Sequence, residues 1–404
     1  MKCQVCSGNR LYTVLDLGHH PPSDDFLSDE RLNKEEIFYP LKAVYCEDCK
    51  LVQLSNTVDP KALFTDHYVY MSSSNKVFVK HANMLVDRLI KEYNLKENDF
   101  VIDVGSNDGT LLENYIPHNV KILGVDPSSV AKVSIEKGIP TINEFFDENL
   151  AKDILKNHGK AKIITGLNVF AHVKELASLI NGVKMLLEDS GVFITESHYL
   201  LDMVEKLQYD EIYHEHLRYY SLEALINLFK RFGMDVFHAE RTQNQGGSIL
   251  VFACKRGVHT IKDSVATILE QEKGLNTKES FENFRKRVNE TRIKLRNLLH
   301  DLKSKGHRII GIGAPAKSTT LLNFCKIDSN LLDYLVETNM SKANKYSPGM
   351  HIKIFDESEM VKDQPEYAVM LPWNIKDDII PKIRNKGYKG KIIIPIPEPS
   401  VIES

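Results

Sequence analysis

The sequence predicts an α/β protein in three parts: a small metal-stapled N-terminal module, a doubly wound domain, and a second Rossmann-like α/β unit reached through long helices. Three observations carry this reading. Short β-branched runs alternate with helix-like segments from about residue 100 to 195. The same alternation returns after residue 305. Four of the six cysteines stand near the start as two C-x2-C pairs.

Size and composition set the bounds. A chain of 404 residues, 42% apolar, exceeds one hydrophobic core and implies two or three domains. The expected limits are 1–60 for the metal module, 61–258 for the first α/β domain, and 259–404 for the helical linker and second α/β domain. No apolar run approaches the ~20 residues needed to span a bilayer. The opening "MKCQVCSGNR" lacks the apolar stretch of a signal peptide, so a cytosolic location is expected. A net charge of −3 exerts no long-range pull on polyanions, which argues against nucleic acid and acidic membranes as partners.

The elements follow in order. "CQVC" and "CEDC" place Cys3, Cys6, Cys46 and Cys49 in two tight knuckles whose thiolates converge on one ion. Four cysteines leave no open position for water, so the expected zinc is structural. Cys254 and Cys325 lie in apolar stretches and read as core. The β-rich "RLYTVLDLG" and proline-rich "HHPPSDDF" complete the module. Strands then read "DFVIDVG", "VKILGVD", "KIITGLNVF" and "GVFITES", with "SLINGVKMLLED" at helical spacing between the last two. "LEALINLFKRFG" reads as a helix feeding an antiparallel hairpin, "MDVFHAER" with "GGSILVFACK". Residues 260–305 are polar and nearly free of Gly and Pro, the pattern of long helices.

In "VIDVGSNDGTLL" an apolar strand runs to Asp103, and Gly105 and Gly109 open the next segment around Ser106 and Asn107. Glycines there let the backbone turn sharply and approach a ligand. The spacing is D-x-G-x-x-x-G, which differs from the dinucleotide fingerprint G-x-G-x-x-G. It resembles the first motif of class I S-adenosylmethionine methyltransferases. A second strand ends in Asp126, where a carboxylate can accept both hydroxyls of a ribose. Asn168, after the strand "KIITGLNVF", is a further candidate for the cofactor.

The stretch "YDEIYHEHLRYY", Tyr209 to Tyr220, gathers two histidines, three acids and four tyrosines. Together with the cysteine knuckles, "GSNDG", "NVFAHV", "GGS", "GAPAK", "SPG" and "LPWN", it resembles the sugar C-methyltransferases of deoxysugar biosynthesis over nearly the full length. The resemblance implies S-adenosylmethionine as cofactor and a nucleotide-linked 4-keto sugar as substrate, bound between the methyltransferase and C-terminal domains and methylated at C-3. It carries His216 over as the base, with Tyr213, Glu215 and His172 beside it. A tyrosine of "DHYVYMSSS" joins them, with Tyr68 preferred for catalysis and Tyr70 for the substrate. Gln245 and Leu250 stand where the resemblance leads one to expect histidine and arginine.

The chemistry suits the set. A methyl on sulfonium sulfur is already electrophilic, so the protein must create the nucleophile by removing a proton beside a ketone. An imidazole with its ordinary value near ~6.5 can accept that proton at neutral pH. Donors such as Tyr213 and His172 would then stabilise the enolate oxygen. Glu215 reads as a substrate contact, and His214 as structural. In "GIGAPAKS", Gly311, Gly313, Lys317 and Ser318 fall where a strand becomes a helix, a place suited to a diphosphate. Two other classes stay open here: an O-methyltransferase using His216 on a hydroxyl, and a zinc-ribbon protein that binds RNA or protein through a methyltransferase-like fold.

Overall fold

The computed structural model describes residues 1–59 and 71–403, so Tyr68 and Tyr70 lie outside the described residues. The N-terminal module is an antiparallel sheet of β1 (Leu11–His20), β2 (Tyr39–Cys46) and β3 (Val52–Leu54). The chain then enters α1 (Lys76–Glu92), which Asn75 caps by accepting from the amides of Val77 and Phe78. Its buried residues, Phe78, Ala82, Leu85, Val86 and Leu89, recur every three or four positions and form one stripe against the sheet behind.

The middle domain alternates β4 (Phe100–Val104), β5 (Lys121–Val125), α2 (Ala131–Glu136), β6 (Thr141–Ile142), α3 (Glu148–His158), β7 (Ala161–Leu167), α4 (Leu176–Leu186) and β8 (Leu187–His198). β4 is buried along its whole length, as a central parallel strand covered on both faces must be. The segment "SLINGVKMLLED" is not helical throughout. Leu187 adopts extended angles, and from there the chain is already β8. A short helix α5 (Leu200–Glu205) leads to the histidine-rich segment. That segment returns through β9 (Arg218–Tyr219), which pairs with β3 and so ties the middle domain to the metal module. Then come α6 (Leu222–Arg231), β10 (Met234–Thr242) and β11 (Ser248–Lys255).

The resulting seven-stranded sheet has the order β10-β11-β8-β7-β4-β5-β6, with β11 antiparallel to both neighbours. Strand succession reverses at β4, which has β5 on one side and β7 on the other. The crevice beyond the carboxyl ends of these strands is where such sheets bind ligands.

Two helices, α7 (Asp263–Gln271) and the 27-residue α8 (Lys278–Ser304), form the link. The C-terminal sheet has the order β14-β13-β12-β15-β16-β17 and is parallel except for its last strand. It is built from β12 (Ile309–Ile312), α9 (Ala316–Cys325), β13 (Leu335–Glu337), β14 (Ile354–Asp356), α10 (Ser358–Asp363), β15 (Tyr367–Met370), α11 (Lys376–Asn385), β16 (Lys391–Ile394) and β17 (Ser400–Ile402). Every residue of α9 from Lys317 to Cys325 is buried. It is packed beside the histidine-rich segment, where Thr320 donates to the Ile212 carbonyl at 2.8 Å, and beside the proline-rich loop, where Thr319 donates to the Ser23 carbonyl at 2.8 Å. Among the described residues, no helix is long and apolar enough to cross a membrane.

Candidate active site

The loop after β4 turns at Gly105 with φ of 74° and at Gly109 with φ of 80°. Both are closely packed as well: a Cβ on Gly105 would stand 2.4 Å from Val169, and one on Gly109 would stand 2.4 Å from Ile139. Only glycine meets both demands. Asp126, at the end of β5, receives the Asn107 amide on one oxygen at 2.9 Å and the Ser128 amide on the other at 2.8 Å. The oxygen facing Ser128 also takes that residue's hydroxyl at 2.5 Å, whereas the one facing Asn107 keeps a second lone pair that a ribose hydroxyl can use. Asp103 faces inward, taking the Thr165 hydroxyl at 2.6 Å. Burial pushes its carboxyl up to about 7, against that hydrogen bond and with the Asp126 charge. It therefore buttresses the loop.

The crevice is suited to the cofactor. Asn168 leaves β7 in a left-handed conformation, φ 58°, with a buried side-chain carbonyl that has no protein partner, and the Ser106 hydroxyl is buried and unpartnered too. Such orphans beside a positive-φ loop call for a polar ligand. Asn107, Gly109, Asp126 and Asn168 would hold the amino-acid and ribose ends of S-adenosylmethionine there. Asn107 also accepts the Ser72 amide at 2.9 Å, and Asp108 the Ser73 amide at 3.0 Å, which fastens the segment before α1 over the loop.

A few residues away lies a cluster of imidazoles. Tyr213–His216 is a turn, closed by the His216 amide on the Tyr213 carbonyl at 3.0 Å, rather than an extended stretch. The Leu217 amide donates to the Ala171 carbonyl at 2.8 Å and the Tyr220 hydroxyl to the Phe170 carbonyl at 3.1 Å. These bonds lay "NVFAHV" alongside the turn. They bring His172 to 5.0 Å from His216, ring centre to ring centre. His216 Nδ1 lies 3.0 Å from the Glu211 carbonyl, which can only accept, so the proton sits on Nδ1. Nε2 is then the basic nitrogen, and the Tyr213 hydroxyl donates to it at 2.8 Å. Burial, then the neighbouring His172 and His198, hold the His216 imidazole well below its ordinary value. The expectation of an unperturbed base is corrected: the ring is neutral, ready to accept a proton, and weak.

Glu215 is buried, with one carboxylate oxygen unpartnered. Burial, reinforced by Asp24, pushes its carboxyl up to about 8. His214 turns the other way, edge-on to Tyr39 of the metal module at 5.8 Å, as a structural histidine does.

The diphosphate expectation for the C-terminal loop meets a different arrangement. Lys317 is buried and donates to Asn374 at 2.6 Å and to Glu211 at 3.2 Å, with Trp373 beneath it at 4.9 Å. Its charge is committed to protein carboxylates and is not offered to a phosphate. Ser318 caps inward on the Pro315 carbonyl at 2.6 Å, and Gly313 turns at φ 78° against Pro372. Trp373 is anchored through its indole N–H on Asp210 at 2.7 Å. Sequence reasoning missed Glu211 and His198. Glu211 supplies the carbonyl that orients His216, while its carboxylate faces Lys317 and, at 3.7 Å, His198. The available signal was position: His198 ends β8, in line with the other ligand-facing strand ends.

In the N-terminal module, Cys3 lies 3.5 Å from Cys49 and Cys6 3.5 Å from Cys46, sulfur to sulfur. That is too long for a disulfide and close to the ~3.8 Å that thiolates ~2.3 Å from a tetrahedral ion require. Backbone amides of Val5 and Gly8 point at Cys3 and Cys6 sulfur, the second shell expected of a knuckle. The four cysteines fit zinc.

The sheet order with its antiparallel β11, the glycine turn after β4 and the carboxylate closing β5 together define a class I methyltransferase dependent on S-adenosylmethionine. Family models agree along the chain: a zinc binding domain over residues 3–64, a methyltransferase domain over 78–239, and a C-methyltransferase C-terminal domain over 243–397. The chain is 32% identical to C-methyltransferase NovU of Streptomyces niveus, covering 100% of this chain and 97% of that one. It belongs to this family of C-methyltransferases. Among solved structures, a S-adenosylmethionine-dependent methyltransferase of Clostridium acetobutylicum is 17% identical, with a TM-score of 0.36, over 44% of this chain and 92% of its own. Magnesium protoporphyrin IX methyltransferase of Synechocystis, with bound SAH, is 17% identical, with a TM-score of 0.35, over 45% and 88%.

Proposed function

We propose that this C-methyltransferase acts on a nucleotide-linked 4-keto deoxyhexose, at C-3, through an enolate generated by His216. The observation that carries the reading is the state of His216: buried, neutral, with Nδ1–H fixed on the Glu211 carbonyl and the Nε2 lone pair turned toward Tyr213. The cofactor supplies an electrophilic methyl group. Nε2 takes the proton from the carbon beside the ketone, and the Tyr213 hydroxyl, released from Nε2, turns its proton toward the substrate oxygen. His172 closes the other side of the pocket and excludes water. The neutral carboxyl of Glu215 can donate to a hydroxyl or amine on the sugar ring. A weak base requires strong stabilisation of the enolate oxygen, which argues for several donors. The sugar itself, and the nucleotide that carries it, rest on the resemblance to sugar C-methyltransferases. Tyr68 and Tyr70 are assigned beside them on the same ground.

Incubation with isotopically labelled methyl donor and a panel of nucleotide-linked 4-keto hexoses, followed by mass spectrometry and NMR, tests this. One sugar should gain a methyl on carbon, and His216→Asn should lower the rate by about 10³-fold, within the range for a positioned base. A methyl found on oxygen, or an unaffected His216→Asn variant, would overturn it.

A further inference from the structure

A weak base calls for more than one donor on the enolate oxygen, and the Tyr213 hydroxyl is engaged on His216 Nε2 until that nitrogen has taken its proton. On the far side of His216 stands His198, its ring centre 5.0 Å from that of His216 and its side chain 13% exposed. His198 Nε2 lies 3.7 Å from one oxygen of Glu211, while Nδ1 is buried with no partner. The second oxygen of Glu211 is held by Lys317 at 3.2 Å, and Lys317 in turn by Asn374 at 2.6 Å. Glu211 faces Nε2 at ion-pair distance, and Nδ1, which meets no protein acceptor, is the ring atom left for a substrate oxygen. This arrangement is separate from the backbone carbonyl of Glu211 that holds His216.

We propose that His198 is a further catalytic residue, which donates from Nδ1 to the oxygen of the carbonyl being enolised, and that Glu211 is its positioning residue. The inference rests on the carbanion chemistry proposed for His216. In the step, the C–H pair enters the new C=C bond, the proton goes to His216 Nε2, and the carbonyl pair moves onto oxygen. His198 keeps its proton and stabilises that charge through the hydrogen bond. When the carbon takes the methyl, the C–S pair leaves with the sulfur, the carbonyl re-forms, and His216 returns its proton to water.

The test compares wild type, His198→Gln, Glu211→Gln and His216→Asn, each zinc-loaded and with its melting temperature recorded. The probe is thymidine diphosphate 4-keto-6-deoxyglucose with labelled methyl donor. His198→Gln should lower kcat about 10²-fold with KM changed less than about threefold, the loss typical of one oxyanion donor. Glu211→Gln should lower kcat by a smaller factor, and solvent deuterium uptake at the sugar carbon should fall in step. A His198→Gln enzyme with wild-type kcat, or one whose loss lies wholly in KM or in melting temperature, overturns the inference while leaving the His216 reading intact. Failure of His216→Asn to lose activity overturns that reading instead. Zinc should measure one per chain in every variant. A second metal lost with His198→Gln would make His198, Glu211 and His216 ligands and also overturn the inference.

Discussion

At the scale of single residues, the site is governed by desolvation. The same burial that strips His216 of basicity keeps Glu215 protonated, so a turn of four residues holds a neutral base and a neutral acid side by side. This has a consequence for stability. A carboxyl whose folded value, about 8, lies above its usual 4.5 stabilises the fold fully below the usual value, and that contribution is lost as pH rises through the folded one. Buried His20 and His214 and half-buried His172, each pushed down to about 4, act in the opposite sense below their ordinary value of 6.5. Between pH 6.5 and 8, therefore, the raised carboxyls dominate. The zinc-loaded wild type should lose stability there, on the order of 2 kcal/mol from Glu215 alone, and Glu215→Gln should flatten the slope. Thermal melts across that window check it, and parallel slopes for the two proteins would contradict it. His216 as base candidate was legible in the sequence because "YHEH" is compact. Its partners were not, because Glu211 and His198 are ordinary residues until the end of β8 is folded beside the turn. Lys317 was misread for a related reason: its position after a glycine turn is a local fact, whereas its partner Glu211 is 106 residues away in the chain.

Among the elements, the short strand β9 does the most connecting. It follows His216 by two residues and pairs with β3, whose neighbour β2 ends at the zinc ligand Cys46. The Leu54 amide adds a bond to the Leu217 carbonyl at 2.9 Å. The metal knuckles thus stiffen the wall against which the catalytic turn rests. Because the binding energy of a structural zinc is folding energy, Cys46→Ser or a strong chelator should lower the melting temperature by at least about 5 °C and reduce methyl transfer in parallel. Calorimetry with metal analysis checks this, and activity that survives complete loss of zinc would contradict it. The cysteine knuckles and the β-branched strands were readable because their signals are local. The boundary between α4 and β8 was not: "KMLLED" carries the apolar spacing of either element, and only the pairing of Leu187 with Ala161 settles it as strand.

Across the whole molecule, the three units meet at the histidine-rich segment. The metal module reaches it through β9, the seven-stranded sheet through the ends of β7 and β8, and the C-terminal unit through α9 and Lys317. The order of motifs in the sequence indicated three units, and each was legible by itself. How they converge was not, since the contacts join residues such as Ser23 and Thr319, or Asp210 and Trp373, that no periodicity relates. Convergence also explains why so many titratable groups are gathered in twelve positions: each domain supplies something to hold them. The central claim is that this assembly makes a carbon nucleophile. The most direct measurement is deuterium uptake from D2O into the carbon beside the ketone of a nucleotide-linked 4-keto deoxyhexose, with S-adenosylhomocysteine in place of the methyl donor. Exchange at that carbon in wild type, abolished by His216→Asn, is the predicted result. No exchange in wild type, or undiminished exchange in His216→Asn, would contradict the account.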